Sequence, residues 1–243
     1  MQKKYFNKAT LIFFSTMVII FHLIGCSGEK STSTNDKDDS AVENSDKSVN
    51  SISNSDNANS SEISANSLEY VNIGQYDWGV KNLDVSTFKN GDPIKEIKSN
   101  DEWEQAIENK EPAWCYYEND PANNEMYGKI YNFYAVSDSR GLAPEGWRIP
   151  TSSDWEGLGS EKDPLITEEY WGGSNSTGLS LPPSGCRNES GSFNDLGVRG
   201  FWWADNGSKC FNIQSDYKYT DIDRGETFRK GFTVRCVRDA VDL

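Results

Sequence analysis

Histidine is all but missing from this chain: one stands in 243 residues, and it is His22, inside an apolar run near the N-terminus. Outside that run no imidazole is left for general acid–base work, for a Ser-His or Cys-His nucleophile, or for a His-ligated metal. Positive charge is also short. Lys and Arg number 24 against 38 Asp and Glu, a net charge of −14. So acidic a chain repels phosphate backbones and anionic headgroups, which excludes nucleic acid as a partner and favours neutral or cationic ones. None of the five cysteines stands in a Cys-x-x-Cys or other zinc spacing, so no zinc site is expected. No apolar stretch reaches the roughly 20 residues of a comfortable membrane span, and no period of roughly 20 to 50 residues repeats along the chain.

What the N-terminus does have is a short basic region, Lys3, Lys4 and Lys8, and then an apolar run from Leu11 to Ile24 broken by Ser15, Thr16 and His22. These are the n- and h-regions of a secretory signal. The run ends on Leu23-Ile24-Gly25-Cys26. That is the pattern of a bacterial lipobox: an apolar residue, a branched or small one, a small one, then the cysteine whose thiol receives lipid. The expectation is a signal peptide over residues 1–25, acylation (palmitate included) at Cys26, and a lipoprotein held on a membrane by that lipid. Ser27 rather than Asp follows the cysteine, which favours the outer membrane and the cell surface. The alternative is an ordinary anchor helix with an incidental cysteine.

From Ser27 to Asn66 the chain is mostly Ser, Asn, Asp and Lys, with scattered apolar residues such as Val42, Val49 and Ile52. Such a stretch cannot bury enough surface to offset its ordering entropy, so residues 26–67 read as a lipidated cysteine followed by a disordered tether. Residues 68–243 are of single-domain size. They hold 30 acids against 18 bases, a net charge of −12, and all eight tryptophans.

Within that domain Glu69–Ile73 and Asp77–Asn82 read as short strands around a turn at Gly74-Gln75. Asn100 to Glu108 is expected to be a helix capped by Asn100 or Asp101, burying Trp103, Ala106 and Ile107 at i, i+3, i+4. Trp114 to Tyr117 reads as extended, and Tyr127 to Val136 as a second helix that Gly128 weakens. Thr151-Ser-Ser-Asp154 is a capping box that starts a short helix burying Trp155 and Leu158. Further strands are expected at Leu179–Leu181, Gly200–Trp203, Lys209–Ile213 and Gly231–Val237.

Taken in order, these blocks resemble the Fibrobacter succinogenes major paralogous domain, a family of exported bacterial domains. The residues that carry the likeness are Trp78-x3-Asn82-Leu83, Tyr116-Tyr-Glu-Asn-Asp-Pro121 with Tyr127-Gly128, and Leu142-Ala-Pro-Glu-Gly-Trp-Arg-Ile-Pro-Thr151 with Trp155. Gly191-Ser-Phe193, Gly200-Phe-Trp-Trp203 and Gly231-Phe-Thr-Val-Arg-Cys-Val-Arg-Asp239 complete it. The family is similar to the C-type-lectin-like fold shared with formylglycine-generating enzymes. The resemblance implies an α+β domain with a twisted antiparallel sheet, two or three helices and long loops. It brings no known activity.

An even number of cysteines in an exported domain reads as two disulfides, with free thiols as the alternative, and four cysteines allow three pairings. In lectin-like domains a bridge commonly ties the last strand to the early part of the domain, which implies Cys115 with Cys236; Cys186 and Cys210, unusual for the family, are then expected to pair with each other. Formylglycine generators hold copper on two cysteines shortly before the last strand, and residues 217–229 contain none, so no enzyme of that kind is expected and no catalytic residue is assigned. Lectin-like domains often bind calcium through Trp-Asn-Asp motifs. Trp203-Ala-Asp-Asn206, with Asp216, Asp221 and Asp223, is the nearest set here, although a solvated acidic turn is the competing reading and no cofactor is assigned. Trp202 and Trp203 must face opposite sides of a strand, which leaves one free to lie outside and stack on a sugar, against the competing and favoured reading that each tryptophan is core. The candidate ligand contacts are therefore Trp202, Trp203, Asp205 and Asn206, with a glycan or a surface protein as partner. For the anchor, the expected outcome is that Cys26→Ser abolishes metabolic labelling by a palmitate analogue. Persistent labelling of the variant counts against Cys26 as the acceptor.

Overall fold

A computed structural model describes residues 68–223 and 227–240; the expected signal peptide, Cys26 and the tether lie outside the described residues. Two strands open the domain, β1 (Tyr70–Ile73) and β2 (Tyr76–Gly79), joined through Gly74 at φ +65°. A positive φ is where glycine carries no steric penalty. In chain order there follow β3 (Lys95–Glu96), α1 (Asn100–Glu108), β4 (Ala113–Cys115), α2 (Asn124–Tyr127), β5 (Ile130–Asn132) and α3 (Phe133–Val136). Next come α4 (Ser152–Gly157), α5 (Glu168–Trp171), β6 (Ser184–Arg187), β7 (Phe193–Leu196), β8 (Arg199–Ala204), β9 (Lys209–Gln214) and β10 (Thr220–Asp223). The described chain closes with β11 (Gly231–Phe232) and β12 (Val237–Asp239). The fold is mixed α and β, mostly sheet. No helix among the described residues is long and apolar enough to cross a membrane.

The strands form two sheets. A three-stranded one has the order β1-β2-β12, with Val237 opposite Trp78 and Arg238 opposite Asp77, so the end of the domain pairs with its beginning. A nine-stranded one runs β10-β9-β8-β6-β11-β5-β4-β3, with β7 on β6. The expected twisted antiparallel sheet with two or three helices is thus corrected in two respects. Pairs β3–β4 and β6–β8 are parallel, and the described residues hold five short α-helices and five 3-10 turns.

Local chemistry explains most elements. Helix α1 starts where the Ser99 hydroxyl accepts from Glu102 N at 3.1 Å, one residue before the expected cap, and it buries Trp103, Ala106 and Ile107 as the spacing requires. The Thr151/Asp154 capping box forms on α4. Asp154 is also held by Arg148. Burial alone would push its carboxyl up, but hydrogen bonds from Arg148 and Thr151 outweigh that and hold it below the usual carboxylate range. The helix expected over 127–136 does not form. Gly128 at φ +69° ends α2, and a Cβ there would lie 2.7 Å from Asn82 Cβ. The chain then joins the sheet as β5 before Asn132 caps α3 by accepting from Ala135 N. The expected strand 231–237 is split, because Thr233 to Cys236 turn inward between β11 and β12 and are all buried. Leu179–Leu181 makes only an isolated bridge, Leu181 with Ile166.

The two central tryptophans do point to opposite faces of β8, yet both are fully buried. Trp202 packs with Trp78, Trp155, Phe211 and Ile213. Trp203 packs with Tyr131, Phe232 and Val234. Each indole N–H is satisfied: Trp202 Nε1 donates to Asn82 Oδ1 at 2.8 Å and Trp203 Nε1 to the Tyr131 carbonyl at 2.8 Å. Gly200 has to be glycine, because a Cβ there would meet the Trp202 ring at 2.2 Å. A third cluster surrounds Trp103, Cys115 and Ile130. Asn82→Ala strands the Trp202 donor inside the core and should cost about 1–3 kcal/mol in urea unfolding. In a Trp202→Phe background, which has no donor to strand, the same change should cost less. Strictly additive losses would mean that the bond couples nothing.

Candidate functional site

The residues expected to meet a ligand are mostly engaged elsewhere. Trp202 and Trp203 are core, because both faces of β8 are covered rather than one. Asp205 is tied to the start of α4: its carboxylate accepts from Ser152 N at 2.8 Å and Ser152 Oγ at 2.6 Å, and pairs with Lys209 at 2.9 Å. Burial raises the Asp205 carboxyl, but the Ser152 and Lys209 contacts win and hold it low. Asn206 stays exposed at φ +53°, on the rim of a hollow of about 300 Å³ beside Trp147 and Arg148. Asp216, Asp221 and Asp223 are exposed, and no group of three or more His, Cys, Asp or Glu that could hold a metal ion occurs among the described residues.

The expected disulfides are absent as well. Cys115, Cys186, Cys210 and Cys236 are buried free thiols. Cys115 lies in the cluster of Ile97, Trp103 and Ile130, whereas Cys236 lies with Leu83, Tyr131 and Val234. Cys186 on β6 and Cys210 on β9 share a cluster, but β8 runs between their strands. Burial pushes the thiols up, to about 11 for Cys115 and Cys186 and about 12 for Cys236. Buried and so raised, these thiols are poor nucleophiles at neutral pH. Two buried guanidiniums are structural too. Arg187 donates to the carbonyls of Ile97, Ser99 and Gly191 and lies 4.5 Å from the Trp103 ring. Arg235 donates to Gly79 O at 3.1 Å, and burial pulls it down to about 9, which leaves it charged at neutral pH.

What the structure does form is a cleft of about 500 Å³ between the end of α4 and strand β10. Beneath it lies the stacked pair Trp155 and Phe211, both fully buried, with centroids 4.1 Å apart and planes 4° from parallel. The indole Nε1 of Trp155 is buried without a partner among the described residues. One wall is Glu156, Gly159 and Ser160; the other is Thr220, Asp221 and Ile222. The walls are laced at one end, where Thr220 N donates to Ser160 O at 2.9 Å and Lys162 N to Lys218 O at 3.2 Å. Just outside, Tyr217 and Tyr219 are 64% and 53% exposed, and Lys218 is paired with Glu161 at 2.9 Å. The lining thus offers two carboxylates, two hydroxyls and the half-buried Ile222, with no imidazole, thiol or amine. Such a surface can hold a ligand through hydrogen bonds and contact with Ile222.

Of this cleft the sequence reading singled out only Trp155, as core, and Asp221, as a calcium candidate. The available signal was the polar/apolar alternation Thr220-Asp221-Ile222-Asp223, which marks a half-exposed strand.

Compared with known protein families, residues 71–238 match the Fibrobacter succinogenes major domain. No curated protein and no solved structure matches the chain. Alkylation of the native protein should leave Cys115, Cys186, Cys210 and Cys236 unmodified, and unfolding in urea without reductant should expose all four to the reagent, read by peptide mass. A bridged pair recovered from the unreduced protein would overturn the free-thiol assignment.

Proposed function

Because the chain belongs to the Fibrobacter succinogenes major domain family, we propose that it is a lipid-anchored protein of the cell envelope whose lectin-like domain binds a glycan or protein ligand without catalysing a reaction. The observation that carries the binding role is the cleft between α4 and β10, lined by hydroxyl and carboxylate groups and the half-buried Ile222. The absence of imidazole from the domain sequence and the raised, buried thiols favour binding over turnover. A lectin-like architecture is favoured by the pairing of β12 with the opening hairpin and by the long connections between short helices. Display at the outer membrane follows from the lipobox at Cys26 and from Ser27 after it. A tether of Ser, Asn and Asp residues would then carry the domain away from the membrane.

The test is a pair of arrays, one of immobilised glycans and one of immobilised peptides, probed with the protein in calcium and again in chelator. Ser160 is exposed on the lip of the cleft, so Ser160→Trp should place an indole in its mouth and weaken any specific signal at least tenfold while thermal unfolding is unchanged. A specific signal that survives Ser160→Trp undiminished would move the binding role away from this cleft.

A further inference from the structure

We propose that the cleft takes an extended peptide, added as a strand to the free edge of β10, with an apolar residue flanked on both sides by basic ones. The inference rests on reading the cleft as the binding site and names its occupant.

Strand β10 is the last strand on its side of the nine-stranded sheet, with β9 on its inner edge. Along a strand the N–H and C=O of residues i and i+2 face the same edge. Thr220 N donates outward, to Ser160 O, so the N–H and C=O of Ile222 face outward as well. The Asp221 carbonyl accepts from the Asn212 side chain of β9, at 3.4 Å, as that alternation requires. The first half of this outer edge is covered by residues 160–162, through the Glu161–Tyr219 bridge and the bonds on either side of it. The covering chain does not continue. Gly159 at φ +90° sits where it joins α4, and the space left beside Ile222 is the cleft. Among the described residues no backbone group on that side reaches the Thr220 carbonyl or the N–H and C=O of Ile222. An open edge with backbone donors and acceptors is a template for another extended chain.

Register and charge then define the occupant. A residue paired with Ile222 exchanges two backbone hydrogen bonds with it and turns its side chain to the same face of the sheet. On that face Ile222 pairs with the buried Phe211 and is itself half-exposed toward the cleft. The paired residue is therefore apolar, and it enters the cleft against Ile222. Its two neighbours point to the other face, the one carrying the exposed Asp221. Of the nearby cations, Lys218 is already paired with Glu161, and Lys162 donates to the carbonyls of Gln214 and Ser215. Basic neighbours complement Asp221, and acidic ones meet like charge in a domain of net charge −12.

The experiment uses a fluorescein-labelled Thr-Lys-Val-Lys-Thr peptide with the full chain in detergent, read by fluorescence polarisation. Saturable binding is expected that weakens at least tenfold when the valine nitrogen is methylated, since that removes one backbone donor and leaves every side chain in place. Glu in place of both Lys should weaken it by a similar factor, and the variant Asp221→Lys should reverse that preference. Equal binding of the N-methylated peptide would overturn strand addition. Binding of glycans alone, abolished by Ser160→Trp, would overturn the peptide and leave the cleft a binding site. Failure of both classes at the cleft would overturn the inference together with the reading beneath it.

Discussion

Two adjacent indoles on one strand set the terms for the rest of this domain. Trp202 and Trp203 leave β8 on opposite faces, and both are fully buried. A single strand therefore needs a complete hydrophobic layer on each side, and the chain builds one from α4, β9 and the opening hairpin and the other from β5, α3 and the segment around Trp147. Each indole also carries a donor that is expensive to leave unpaired. Asn82 supplies one acceptor across 120 positions of sequence, and the Tyr131 carbonyl supplies the other. Asn82 in turn donates to the Tyr127 carbonyl at 2.8 Å. The opening Trp-x3-Asn block, the Tyr-Gly block and the Gly-Phe-Trp-Trp block thus meet at one hydrogen-bonded point.

The same logic runs through the remaining family blocks. Arg148 and Thr151 secure Asp154 at the start of α4, while the Arg148 backbone exchanges bonds with Val237 of the last strand. Trp147 packs against the Arg238 guanidinium at 4.6 Å. Arg187 and Arg235 take hydrogen bonds to carbonyls of distant loops in place of a partner carboxylate. Short elements bring little stability of their own, so these side-chain ties fix the loops that periodic hydrogen bonding does not.

A consequence for function is that the most recognisable residues of the chain are interior. The cleft is lined instead by Glu156 and Ser160 at the end of α4 and by Thr220 to Ile222 on an edge strand, where the strand edge adds backbone groups of fixed direction.

Much of this was legible from sequence because it is decided locally. Glycine at the β1–β2 turn, the spacing of Trp103, Ala106 and Ile107 on α1, and the Thr151/Asp154 box each depend on neighbours within four residues. The order of the blocks was enough for the family. Sequence misjudged what depends on distant neighbours. Period-two alternation put Trp202 and Trp203 on opposite faces but could not say that both faces are covered. An even number of cysteines suggested bridges, whereas thiol distance and the strand between Cys186 and Cys210 are set by sheet order. The helix at 127–136 was lost to the close approach of Gly128 to Asn82, 46 positions away. The cleft belongs to the same class, since its lining and open edge come from segments separated by about 50 to 65 residues. By itself the sequence determined the local caps, turns and faces and the family; only the packing of remote segments decided which polar and aromatic groups were consumed inside and which were left at the surface.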